Sequence, residues 1–302
     1  MSFSNAIIYI MAGFMLLGGF DRIFGNKLGL GQEFEAGFNA LGPLALGMVG
    51  ITCLAPLLGN FLSAVIGPLF GMLGTDVSLA AAIFLPIDTG CYPLAHSMTQ
   101  NAQLADFSSI IVASMLGCTI VFSIPVSLGV IQREDIKFLA VGSLSGLVVI
   151  PAASALGGIL MGLSPGVIVI NLIPVIVFSV LLATLLLLCP NAMIKAFIIF
   201  ARIVVDLITL GLMLAIFQEL AGVAWVEGMT PLSEAFSILG SIAVLLAGAY
   251  PFVHAVTQII SKPLKQIGKV LKINEVAMGG LLATLANSVP MMMMISKMDD
   301  RG

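Results

Sequence analysis

Two stretches of the chain, 138–163 and 166–189, are apolar from end to end and carry no charged side chain. A helix rises about 1.5 Å per residue, so about 20 such residues cross the ~30 Å hydrocarbon core of a bilayer with every backbone N–H and C=O satisfied internally. Comparable runs lie near 3–20, 37–59, 107–131, 196–217 and 235–260. Only 9% of the residues are charged, against about 25% in a soluble domain, which excludes an ordinary water-soluble fold. The alternation of a transmembrane barrel is absent from these runs. The reading is therefore all-α: a polytopic transmembrane helical bundle, one integral membrane domain over residues 1–302. The opening "MSFSNAIIYIMAGFMLLGGF" has no basic leader and no small-x-small cleavage site, so it is expected to stay as the first span. Cys53, Cys91, Cys118 and Cys189 all sit in apolar segments without metal-ligand spacing, and are expected to be small hydrophobes. No metal, cofactor or nucleic-acid partner is expected.

Basic residues orient the spans, because Lys and Arg collect in cytoplasmic loops. They occur at Arg22 and Lys27, at Arg133 and Lys137, at Lys195, and at Lys262, Lys265, Lys269 and Lys272, whereas 59–106 and 218–234 contain none. Keeping the basic loops inside requires 60–106 to cross an even number of times. A re-entrant hairpin at 77–97, entering from outside, satisfies this. The segment 276–296 is interrupted in a similar way and is expected to enter from the cytoplasmic side. The four lysines, opposite Leu264, Ile267 and Leu271, are expected to lie on anionic lipid as an interfacial helix.

The order of elements recurs. "NAIIYI" at 5–10 resembles "KAFIIF" at 195–200, and "GFNALG" at 37–42 resembles "AFSILG" at 235–240, each pair preceding an interrupted segment. This predicts a first repeat of about 1–190 and a second of about 195–302. A unit of five crossings and one re-entrant segment is odd, so the second copy must be inverted, as in many secondary transporters. On this reading the second copy stops early, and the chain is expected to be truncated by roughly four spans.

The chemistry concentrates in "AAIFLPIDTGCYPLAHS", where Asp88 interrupts an apolar run. A carboxylate at mid-bilayer costs on the order of 3 kcal/mol and is expected in a protein-lined or watery cavity. Pro86 and Pro93 cannot continue helical hydrogen bonding and Gly90 permits a tight reversal, so the backbone is expected to open around Asp88, Thr89 and Gly90. Asp88 could instead cap the second half-helix. In "LLATLANSVPMMMMI", Asn287 and Ser288 precede Pro290, and the repeat makes this the counterpart of the Asp88 break. Gln32, Glu33 and Glu35 stand at the cytoplasmic mouth of the second span, where Glu35 is a candidate gate for a cationic solute. Arg202 and Asp206, four residues apart within a span, are expected to form an intramembrane ion pair. His254, near Pro251, is expected to be a hydrogen-bonded packing residue. The triplet "DTG" also occurs in aspartic proteases, but Asp206 has an arginine beside it and no matching motif, and HExxH, Gly-rich phosphate-loop and GxSxG patterns are absent. An enzyme is not expected.

Several stretches are similar to one family, the ethanolamine permeases of bacterial ethanolamine utilization systems (EutH type). They are "DRIFG", "FEAGFNALGPLALGMVGITCLAPLL", "TIVFSIPVSLGVI", "LLAGAYPFV", "KPLKQIGKVLKIN", "ATLANSVPM" and "MDDRG", which together run along nearly the whole chain. "PIDTG" resembles a family element and carries it onto Asp88 and Gly90; "LANSVP" does so for Asn287 and Pro290. The resemblance implies ethanolamine uptake across the cytoplasmic (inner) membrane of a bacterium, for use as a carbon and nitrogen source, and family members continue past this end point. The residues themselves say only that the cargo is small and cationic. Another small-solute secondary transporter, or a membrane sensor for amines, stays open on that evidence.

Overall fold

Helix is the only regular structure among the described residues. A computed structural model describes residues 3–124, 127, 131–271, 273–284, 291–292 and 294–299. After α1 (Phe3–Ile23), α2 (Leu30–Asn39), the short α3 (Leu41–Leu44), a π-helical turn at Ala45–Val49 and α4 (Gly50–Leu73) follow without a break. Two short helices come next, α5 (Ser78–Phe84) and α6 (Cys91–Met98), and α7 (Ala102–Asp106) leads into a π-helix at Phe107–Gly117. The remainder is α8 (Ile136–Leu160), α9 (Pro165–Leu188), α10 (Pro190–Ala221), α11 (Leu232–Leu271) and α12 (Glu275–Thr284).

Six helical runs are long and apolar enough to cross a membrane: Leu30–Leu73, Ala102–Val121, Val141–Leu160, Pro165–Leu185, Ile198–Ala221 and Leu232–Ile259. Each coincides with a run read from the sequence, and α1 covers the remaining one. Two helices are longer than expected. The second span continues through Pro56 and Pro68 to Leu73, and stops where Gly74 turns left-handed (φ 67). There the Thr75 amide and hydroxyl both donate to the Phe70 carbonyl, at 3.0 and 3.2 Å, closing the helix end. Likewise α11 runs on through Pro263, so the expected interfacial segment is a continuation of the preceding span. The side chains of its lysines lie outside the described residues.

The chain divides into two compact units, one formed by Met1–Pro43, Val130–Asp135 and Phe236–Gly302, the other by Leu44–Gly129 and Ile136–Ala235. This division follows packing and is not the division into repeats. In the first unit the helices meet at glycines. A Cβ on Gly18 would stand 2.9 Å from Phe34 Cβ and 3.2 Å from Pro251 Cγ, one on Gly37 would stand 2.7 Å from the Ala247 amide nitrogen, and one on Gly248 would overlap the Met11 carbonyl. Asp21, buried at the end of α1, fixes the following loop by accepting the amides of Leu28 and Gly31, both at 2.9 Å.

The second unit uses the same device. A Cβ on Gly50 would overlap the Ile208 carbonyl, and one on Gly211 would lie 2.5 Å from the Gly50 carbonyl, so α4 and α10 touch backbone to backbone. Small residues at such contacts matter because lipid tails give helices no hydrophobic reason to associate; close packing has to supply it. Ile51, Leu79, Leu94, Phe107 and Leu116 fill the core of this unit. Leu160, Leu188 and Met72, by contrast, stand largely exposed, as a surface made for acyl chains requires.

Replacing Gly50 by Leu is expected to destabilise the protein by about 1–3 kcal/mol, because the obstacle is backbone and cannot repack. Gly47, which has open space around its Cβ position, serves as the control. Thermal unfolding in detergent is the measurement. Equal midpoints for Gly50→Leu and Gly47→Leu would show that the close crossing is not needed.

Candidate functional site

The interrupted segment folds as a hairpin of two half-helices. Pro86 disfavours helical geometry in the residue before it, and Leu85 is accordingly extended (φ −124, ψ 135), ending α5. Ile87–Thr89 make one 3-10 turn, with the Thr89 amide and hydroxyl both donating to the Pro86 carbonyl at 3.2 Å. Gly90 then reverses the chain at φ 89. A side chain there would be strained by that φ, and its Cβ would lie 2.5 Å from Ile51 Cγ2 and 2.8 Å from Ile51 Cβ, so the position accepts glycine alone. Pro93 behaves differently from expectation. It falls in the first turn of α6, where its missing N–H would have had no helical partner, so it helps start the second half-helix instead of breaking a helix.

Both ends of the hairpin meet. Asp76 accepts the Ser78 amide at 2.9 Å and the Thr99 hydroxyl at 2.7 Å, while its own amide donates to Asn171 Oδ1 at 2.8 Å. The chain thus enters and leaves at one place, as the count of crossings requires. Seven residues in α5 and eight in α6 give arms of about 11 and 12 Å, each less than half of a ~30 Å hydrocarbon core. Gly90, at the tip, packs against Met48 and Ile51, midway along the helical run Leu30–Leu73. The arms are seated by polar contacts, the buried Ser78 Oγ to Ser108 Oγ at 2.9 Å and the part-buried Ser97 Oγ to the Ala55 carbonyl at 3.0 Å, and by Gly117, whose Cβ would overlap the Leu85 carbonyl.

Asp88 occupies the tip. Its side chain is exposed, facing away from the buried Leu85, Pro86 and Gly90. Apart from a contact with its own backbone amide, its carboxylate has no salt bridge and no hydrogen-bond partner among the described residues. Nor does it cap α6, which begins at Gly90 with no side-chain cap. The carboxylate therefore has acceptor capacity left over. Within its own unit it is open, not enclosed as a mid-depth acid leads one to expect. The π-helical stretches at Ala45–Val49 and Phe107–Gly117 both contact the turn, and the charge of Asp88 acts on the Cys118 thiol. Such widened turns shift backbone groups out of helical register and recur at functional positions.

The other sequence-derived residues fall in different places. Thr89 spends its hydroxyl within the turn. Asn287, Ser288 and Pro290 lie outside the described residues. Glu35 pairs with Arg22 at 3.6 Å, both about half exposed. His254 takes the packing role expected of it: Gln258 donates to Nε2 at 2.8 Å, which places the ring proton on Nδ1, 3.3 Å from Glu33. Arg202 and Asp206 are both exposed along α10 and form no ion pair, contrary to expectation. Spacing four residues apart makes a pair available, but their charged atoms do not come within ion-pair distance. Three polar residues went unnoticed in the sequence: Asp76 at the hairpin base, and His96 with Asp106, joined Nε2 to Oδ1 at 3.0 Å. The four-residue spacing of Tyr92 and His96 was the available signal for His96.

Comparison with known proteins gives a consistent picture. A family model described as "Ethanolamine utilisation protein, EutH" matches residues 3–302. A protein of Listeria monocytogenes named "Probable ethanolamine permease EutH" is 45% identical over 302 residues, covering 100% of this chain and 81% of its own length. Proteins of the same name from Escherichia coli and Salmonella typhimurium are each 40% identical over 341 residues, covering 100% of this chain and 83% of theirs. No solved structure matches the chain.

Removing the Asp76 to Thr99 bond should loosen the hairpin. Thr99→Val is expected to cost about 1–3 kcal/mol, since it leaves a partly buried carboxylate oxygen without its donor. Hydrogen exchange across 78–98 should rise selectively in this variant. Exchange there equal to that of the parent protein would refute the bond's role.

Proposed function

Because the chain belongs to the EutH family of ethanolamine utilisation proteins, we propose that it carries ethanolamine across the bacterial cytoplasmic membrane with Asp88 as the counter-charge for the ammonium group. The protein is a multi-pass helical membrane protein. The observation that carries the assignment of Asp88 is its unpaired carboxylate at the tip of a broken hairpin, midway along a spanning helix.

Ethanolamine near neutral pH is mostly a compact ammonium with one hydroxyl. Stripping water from it is costly unless an anion and further hydrogen-bond acceptors replace the lost shell. Asp88 supplies the anion, and the opened backbone of Ile87–Thr89 lies beside it. The stretch from Leu28 to Gln132 contains no Lys or Arg, so the hairpin has no cation of its own to compete with the cargo. An aspartyl hydrolase would instead need two carboxylates sharing a proton.

Asp88→Asn is expected to abolish radiolabelled ethanolamine uptake in proteoliposomes while leaving membrane insertion intact, whereas Asp206→Asn retains most of it. Normal uptake by Asp88→Asn would remove Asp88 from the site. Equal loss in both variants would favour a paired-acid enzyme. A further expectation concerns pH. Neutral ethanolamine leaks through lipid unaided and becomes scarcer by about ten-fold for each unit of acidification. Cells lacking the protein should thus lose uptake most severely in acidic medium; the same fractional loss at every pH would contradict facilitated entry of the ammonium form.

A further inference from the structure

Tyr92 and His96 stand four residues apart on the more open side of α6, while Cys91, Leu94, Ala95 and Met98 are buried on the opposite side. The rings of Tyr92 and His96 lie 4.3 Å apart, tilted by 40°. His96 Nε2 meets Asp106 Oδ1 at 3.0 Å, with both side chains about a third exposed, and the Asp106 charge also acts on Tyr92. These residues run from the hairpin base, on the face free of Lys and Arg, towards the tip. Nothing in the assignment of Asp88 requires them.

We propose that Tyr92, His96 and Asp106 form an outer binding station for a small primary ammonium on its way to Asp88, and that a proton on His96 competes with the ammonium for that station. The inference rests on Asp88 being the inner binding group. With neutral His96, the Nε2–H donates to Asp106 and Nδ1 is left as an acceptor. The station then holds one net negative charge, an acceptor nitrogen and the face of an aromatic ring, which together suit an ammonium. Protonation turns Nδ1 into a donor and cancels the Asp106 charge. An ammonium then meets a neutral pair with no free acceptor on the ring.

Among the described residues of the elements packed against α6, no other side-chain charge closely faces His96. Of the elements packed against α6, Gly50–Leu73, Ser78–Phe84 and Phe107–Gly117 contain no Asp, Glu, Lys, Arg or His. Ala102–Asp106 contributes Asp106 alone, and the turn contributes Asp88. Asp76, at the base, is already bonded to Thr99 and Ser78, and the Cys53 and Cys91 thiols are buried. The proton that decides the state of the station is therefore the one on His96.

Binding of radiolabelled ethanolamine to the purified full-length chain tests this, using Asp88→Asn as the background so that only the outer station is read. This variant should retain saturable binding although it carries no uptake. Adding Asp106→Asn should weaken that binding by about ten-fold, and adding Tyr92→Leu by about three-fold. Asp106→Glu, which keeps the charge, should restore much of what Asp106→Asn loses, separating charge from folding. Affinity should be lower at about pH 5.5 than at about pH 7.5, and His96→Gln should abolish that difference. The station is refuted if Asp88→Asn binds nothing, if Asp106→Asn leaves its binding unchanged, or if the pH difference survives His96→Gln. The transport assignment fails separately, if the wild-type chain in proteoliposomes moves no ethanolamine or if Asp88→Asn moves it normally.

Discussion

Backbone amides and carbonyls have no water to bond with in hydrocarbon, and this requirement governs the architecture. It makes helix the only regular structure among the described residues, and it makes any interruption of helix informative. The break at Leu85–Gly90 is the best-described interruption at membrane depth in this chain. It is sustained by contacts on every side: the Pro86 carbonyl by Thr89, the Leu85 carbonyl by the bare face of Gly117, and the Gly90 reversal by the flank of Ile51. Irregular backbone of this kind is stable only because neighbouring helices come within backbone contact. Glycines at the crossings allow that approach.

A carboxylate placed at such a break differs from one placed on a helix surface. On a helix it has the option of a partner one turn away, an option that Arg202 and Asp206 leave untaken, standing exposed and apart. At the hairpin tip, Asp88 has no cap to make and no cation within its own stretch of sequence. This is the feature on which the proposal of a cationic cargo rests. The pair Arg22 with Glu35 illustrates the contrast, because there the charge is matched within the chain.

Much of the helical scaffold was legible in the sequence, because span length and apolar character follow directly from bilayer thickness. The break itself was legible too, since Pro86 disfavours helix in the residue before it, Gly90 permits a left-handed reversal, and the two fall four residues apart. Less was readable where the outcome depended on neighbours. Pro93 looked like a second breaker, but a proline in the first turn of a helix is harmless, and only knowing where α6 starts decides between the two. The extension of α4 to Leu73 turned on the Gly74 termination rather than on Pro68. His96 and Asp106 are ten residues apart with a helix end between them, so no periodicity brings them together; the fold of Thr99–Asn101 does.

The hairpin's two ends are also chemically unlike in a way that suits a conduit. At the base, Asp76 accepts two hydrogen bonds through its carboxylate and donates one through its amide, which fixes the entry. On the open side of α6 Asp106 holds His96, and at the tip Asp88 has only its own amide as a partner among the described residues. On the proposed transport path, the acid with the most acceptor capacity left for a cation is thus the one at the tip.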